Sequence, residues 1–137
     1  MEKSTIVIDA QGAIFGRLSA FAAKKALEGN HVVIVNAEKT IITGDKNSIV
    51  AKYHDLRQKG QKHSMRGPSI SKVSYKILKR GIRGMLPNHR WGIGKEALER
   101  VICHNGVPAE FKDHKMIKIE TQSKVKYITL AELSKIM

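Results

Sequence analysis

The chain has 137 residues, with 25 Lys plus Arg against 12 Asp plus Glu, a formal net charge of +13 and a pI near 10. That length suits one domain, 1–137, and 42 % hydrophobic residues suffice for a core, which excludes global disorder. Apolar runs are only a few residues long, so no membrane-spanning helix, secretory signal or organelle transit peptide is expected, and a lone Cys103 excludes an internal disulfide and points to a reducing, cytosolic compartment.

In chain order, residues 5–9 read as a buried strand and 10–13 as a tight turn. Residues 14–27 place Ile14, Leu18, Phe21 and Ala22 at helical spacing, with Ala20, Ala23 and Ala26 raising helix propensity and Gly29 and Asn30 supplying the stop. The run Val32, Val33, Ile34, Val35 is typical of a strand covered on both faces. Strand, helix and strand together make a βαβ unit.

A short strand is expected at 40–43. A helix then runs from Gly44 and Asp45 to about Arg57, with Ile49, Val50, Tyr53 and Leu56 on one side. Residues 58–70 show no periodicity and read as an extended basic loop. Residues 71–86 are predicted helical, 88–94 a loop, 95–102 a short helix, and 106–108 a turn. Weak strands are expected at 116–119 and 127–129. A final helix follows, with Thr129 and Glu132 fitting a capping box and Leu130, Leu133 and Ile136 on its buried side. Together these predict an α/β fold with a small parallel or mixed sheet of about four strands, flanked by helices, plus a basic loop–helix segment.

The charge is not spread evenly. Residues 1–45 sum to zero and residues 96–137 to +1, whereas residues 46–95 carry thirteen cations against Asp55 alone, or +12. A merely soluble surface mixes both signs. A concentrated cationic stretch is what a polyanion attracts, so nucleic acid leads the partner classes. A membrane surface would need a basic amphipathic helix with large exposed apolar groups, or a lipidation motif, and no such motif is present.

On the predicted helix 71–86, Lys72, Lys76, Lys79, Arg80 and Arg83 fall within a stripe about 100° wide. Tyr75, Leu78, Ile82, Met85 and Leu86 form a second face, and Val73 and Ile77 flank the basic stripe on its far side. The helix is therefore expected to pack on two sides and show a rail of cations on the third. Gly81 and Gly84 are expected to admit close approach by another backbone, protein or RNA. Arg66, Arg83 and Arg90 each stand at or near a glycine, and Trp91 lies beside Gly92. Such planar groups stack on unpaired bases, although a core or hinge role is the commoner fate of a tryptophan.

Enzymatic readings find little support. Gly12, Gly16 and Arg17 sit where a phosphate loop would, but the Gly-Lys-Ser/Thr ending and the third glycine of a dinucleotide fingerprint are missing. His54 and Asp55 would point about 100° apart on a helix. Cys103 and His104 have no third partner, and His63, His89 and His114 lack metal-ligand spacing.

Several blocks occur in a telling order: Ile8-Asp9-Ala10, Gly16-Arg17-Leu18, Val33-Ile34-Val35-Asn36-Ala37-Glu38-Lys39, Thr43-Gly44-Asp45-Lys46 and Arg83-Gly84-Met85-Leu86-Pro87. This series resembles the universal large-ribosomal-subunit protein thirteen family. Arg66-Gly67-Pro68, and Gly106-Val107-Pro108 followed by Glu110-Phe111, resemble its archaeal and eukaryotic branch, in its short archaeal form. The resemblance spans about residues 6–111. It departs at 88–93, which is poorer in lysine than the family pattern, and at Cys103-His104-Asn105, which replaces a more apolar run.

The resemblance implies an α/β fold bound to large-subunit rRNA and needed in subunit assembly, beside neighbouring large-subunit ribosomal proteins. It implies no catalysis, cofactor or small-molecule substrate, and a cytoplasmic, ribosomal location. Arg17, Lys46, Arg66, Arg83 and the 84–87 turn carry over as RNA contacts. With the cations of the central segment, the candidate RNA-binding set is Arg17, Lys46, Lys52, Arg57, Lys59, Lys62, His63, Arg66, Lys72, Lys76, Lys79, Arg80, Arg83, Arg90, Trp91 and Lys95. The rival classes are a free regulatory RNA- or DNA-binding protein and, more remotely, a small nuclease or nucleotide enzyme.

Overall fold

The computed structural model describes residues 4–59, 67, 69–119 and 125–136. The expected βαβ unit is there. Strand β1 (Thr5–Asp9) leads through helix α1 (Phe15–Leu27) to strand β2 (His31–Val35), and the two strands pair in parallel with Val7 opposite Val33. Beyond it lie β3 (Ile41–Thr43), α2 (Lys46–Gln58), α3 (Ser74–Met85), α4 (Gly92–Glu99), β4 (Val101–Cys103), β5 (Met116–Lys118), β6 (Tyr127–Thr129) and α5 (Leu130–Ile136). The main sheet has the order β4-β2-β1-β5 with every pair parallel, and β3 and β6 form a separate antiparallel pair.

Strand alternation divides the apolar side chains between the two faces of the sheet. Ile8, Val32 and Ile34 join Leu18, Ala22 and Ala26 of α1 and Ile77, Leu78 and Ile82 of α3 in the larger core cluster. Val7, Val33 and Val35 face the other way, under Val107, Phe111 and Met116. This double cover is why β2 is continuously apolar. Each fully buried Leu or Ile contributes roughly 1.5–3 kcal/mol relative to an exposed one.

The strand ends are tied by polar bonds. Asp9 closes β1, and its Oδ1 accepts from the Asn36 side-chain amide and from the Gln11 N–H, both at 3.0 Å. Asn36 itself adopts the left-handed conformation at φ 57°. The β3–β6 pair is fastened to the rest through Ile41 N–H to Ala13 O and Leu130 N–H to Thr40 O, each at 2.9 Å. The predicted cap of the last helix is present: Thr129 Oγ1 accepts from Glu132 N–H at 3.2 Å.

Two elements differ from expectation. The helix predicted at 95–102 instead begins at Gly92 and ends at Glu99, and Val101–Cys103 is a strand. Parallel pairing with β2 decides this, through Val32 N–H to Arg100 O at 3.0 Å and His104 N–H to Ile34 O at 2.8 Å. The basic loop expected at 58–70 lies largely outside the described residues.

Candidate nucleic-acid interface

Helix α3 carries most of the candidate site. Ser74, Ile77, Leu78 and Ile82 are buried, which puts Ile77 on the same buried side as Leu78 and Ile82 rather than on a separate face. Gly81 fills a different role from the one expected of it. A Cβ there would lie 2.4 Å from Phe15 Cζ and 2.6 Å from Phe15 Cε1, so α1 occupies that approach and no external backbone can use it. Gly84, by contrast, has open space around it. Met85 is 45 % exposed instead of joining the apolar face.

With that side against the core, the cations converge. Lys76, Lys79, Arg80 and Arg83 line one open groove of about 330 Å³ together with Ser69, Ser71 and Leu98. Ser71 Oγ accepts from Val73 N–H at 3.1 Å, which shapes the entry into α3. The carbonyl of Lys72 accepts from Ser134 Oγ, fastening that entry to α5. Lys79, Arg80 and Arg83 are half-buried and Lys76 is exposed, so three of the four ammonium or guanidinium groups ride on stems already packed against protein.

The other expected contacts within the described residues do not line this groove. Lys46, Lys52, Arg57 and Lys59 are exposed on α2 and just beyond it, Lys72 is exposed just ahead of α3, and Arg90, Trp91 and Lys95 are exposed at the start of α4. Arg17 is exposed in the first turn of α1, apart from the groove lining. Lys62, His63 and Arg66 lie outside the described residues. Among the described residues, the ion pairs are Lys25–Glu28 at 3.3 Å and Glu96–Arg100 at 3.6 Å, and neither uses a cation of the 46–95 segment.

Two titratable groups register the groove. Burial pushes the Tyr53 phenol of α2 above its usual range, and the Arg80 guanidinium pulls it partly back. Burial pushes the Cys103 thiol up to about 12 despite the opposing pull of the Lys79 ammonium. Cys103 is thus a protonated core group at neutral pH. Among the described residues no cluster of three or more His, Cys, Asp or Glu side chains is placed to hold a metal ion, and no helix is long and apolar enough to cross a membrane.

Sequence reasoning found the four groove cations because they share a helical face. It missed Leu98, Ser69 and Ser71. The predicted helix starts at Ser71, whereas the observed helix begins at Ser74; Leu98 reaches the groove only through the packing of α4.

A small parallel sheet flanked by helices and bearing a groove lined by four cations defines a basic protein of the α/β class. Within that class the chain belongs to the ribosomal protein L13 family, whose model, Ribosomal protein L13, matches residues 3–110. Similar relatives carry the name large ribosomal subunit protein uL13. That of Picrophilus torridus is 42 % identical over 135 residues, covering 96 % of each chain. That of Methanocaldococcus jannaschii is 44 % identical over 131 residues, covering 94 % of each. That of Sulfurisphaera tokodaii is 37 % identical over 146 residues, covering all of this chain and 97 % of its own.

Proposed function

We propose that this chain, as one domain, is a structural constituent of the large ribosomal subunit, holding large-subunit rRNA beside neighbouring ribosomal proteins and supporting subunit assembly in the cytoplasm. The observation that carries this is the convergence of Lys76, Lys79, Arg80 and Arg83 on one open groove, with no carboxylate pairing among the described cations of the segment. Family membership supports the same partner. Binding of this kind is driven by release of counterions from phosphates. The contact set proposed is Arg17, the cations of residues 46–95, His63 and Trp91. No catalytic step and no cofactor belong to this function.

The test is the salt dependence of binding to large-subunit rRNA. With about six to eight phosphates neutralised, the log–log slope is roughly −4 to −7. A slope near zero overturns the proposal. Co-sedimentation with large subunits in high salt is expected, and its absence alongside strong RNA binding would point to a free RNA-binding regulator.

A further inference from the structure

The connection between α3 and α4 holds the one tryptophan of the chain in solvent. Trp91 is 70 % exposed and Ile93 is 67 % exposed, on either side of Gly92. A core role for Trp91 is thereby ruled out. Tryptophan normally hides most of its surface, and large apolar groups left exposed together mark contact sites.

The patch is braced. Asn88 Oδ1 accepts from Arg90 N–H at 3.1 Å, closing a local turn. Gly92 has φ +65°, a conformation that disfavours a side chain. A Cβ on Gly94 would lie 2.0 Å from Pro87 O and 2.5 Å from Asn88 O, so the first turn of α4 rests directly on the 87–88 backbone. The indole is therefore presented from a seated turn.

Its surroundings are cationic. Arg90 and Lys95 are its charged neighbours along the chain, residues 56–95 contain no Asp or Glu, and the next carboxylate, Glu96, is paired with Arg100 at 3.6 Å. Helix α4 also connects the patch to the α3 groove, because Leu98 lines that groove. The helical rise from Gly92 to Leu98 is about 9 Å. An occupant suited to this place brings negative charge and a flat apolar face. A duplex keeps its base faces stacked internally, and an acidic peptide brings charge without a plane. An unpaired nucleotide brings both.

We propose that Trp91 is a stacking platform for an unpaired base of the RNA whose backbone lies in the α3 groove, with Ile93 extending the apolar surface beside it. The proposal rests on the rRNA reading above and adds to it a preference for single-stranded RNA at one defined residue.

Because Trp91 is the sole tryptophan, emission excited selectively from indole reports this site alone. The full chain is titrated with a short oligoadenylate, with a duplex RNA of equal length and with inorganic polyphosphate. Oligoadenylate is expected to quench the indole to saturation, while duplex and polyphosphate bind and leave it unchanged. Trp91→Ala is expected to weaken oligoadenylate binding about tenfold and leave polyphosphate binding intact, and Trp91→Phe to retain most of the affinity. Binding of all three probes with an unaltered indole overturns the platform alone and leaves Trp91 and Ile93 as a protein-docking patch. Equal loss of oligoadenylate and polyphosphate affinity in Trp91→Ala also overturns it. Failure of every probe to bind overturns the platform together with the phosphate groove.

Discussion

Helices α2 and α3 both lie in the cationic segment, yet they mount their charges differently. α3 buries Ile77, Leu78 and Ile82 and gathers Lys76, Lys79, Arg80 and Arg83 into one groove. α2 has no buried residue; Ile49, Val50 and Tyr53 are only partly covered, and Lys46, Lys52 and Arg57 extend into solvent. A single positive charge is therefore not equally ready on the two helices. A cation whose stem is already packed loses little freedom on meeting a phosphate, whereas a solvated Lys or Arg gives up as much as about 1.5–2 kcal/mol of rotamer entropy when fixed.

The largest expected effect follows from that contrast. Replacing Lys76, Lys79, Arg80 and Arg83 together by Gln should lower rRNA affinity roughly thousandfold near 0.1 M salt and make the salt slope shallower by about 3. Replacing Lys46, Lys52 and Arg57 by Gln should cost only about tenfold. Far-UV circular dichroism should show both variants folded. Equal losses per cation would break the comparison, and unfolding of the fourfold variant would make the groove cations structural.

The same contrast appears in stability. Ile82→Ala empties a fully buried position of α3 and should cost about 2–5 kcal/mol in denaturant unfolding. Val50→Ala on α2, only half-buried, should cost about 1 kcal/mol. Similar costs for the two would mean that α2 is as deeply integrated as α3.

Cys103 tests the core beneath the groove. Its thiol is raised from 9.0 to about 12, chiefly by burial, with Lys79 opposing. Between those values the folded chain keeps a proton that the unfolded chain has released. Stability from this group is thus complete below pH 9 and is lost as pH rises toward 12. Above pH 9 the wild-type chain should lose up to about 1.4 kcal/mol per pH unit more than Cys103→Ala, measured as the difference in slope between the two unfolding curves. Identical slopes would mean the thiol ionises as freely in the fold as outside it.

What the sequence made legible was whatever depends on local pattern. β1, α1 and β2 follow from a β-branched run beside an alanine-rich amphipathic stretch, and Asp45 and Thr129 announce the starts of α2 and α5 as caps. The groove cations were legible because helical periodicity alone aligns them. The rest depended on partners distant in the chain. β4 has three residues separated from α4 by Arg100 alone, and only pairing with β2 makes it a strand. The pairing of β3 with β6 joins segments far apart in sequence, with Ile42 opposite Ile128. Gly81 looked like an opening for RNA, but Phe15 packs against it, and Trp91, expected among the RNA contacts although a core or hinge role is the commoner fate of a tryptophan, is left exposed where α4 seats on Pro87. Residue type proposes burial, but only the packed neighbours decide it.

The smallest expected effect isolates α2 most cleanly. Asp45 is its N-cap, with Oδ2 accepting from Ser48 N–H at 3.3 Å. Asp45→Ala removes that bond and should cost the helix about 1 kcal/mol. Because α2 buries no residue, the loss should appear as faster amide exchange along 46–58 while the protection of α3 and of the parallel sheet stays unchanged. The groove does not depend on this cap, so rRNA affinity should fall less than about threefold, well short of the loss caused by emptying α3 of its cations. A large loss of affinity from this one substitution would place α2 inside the binding site together with α3.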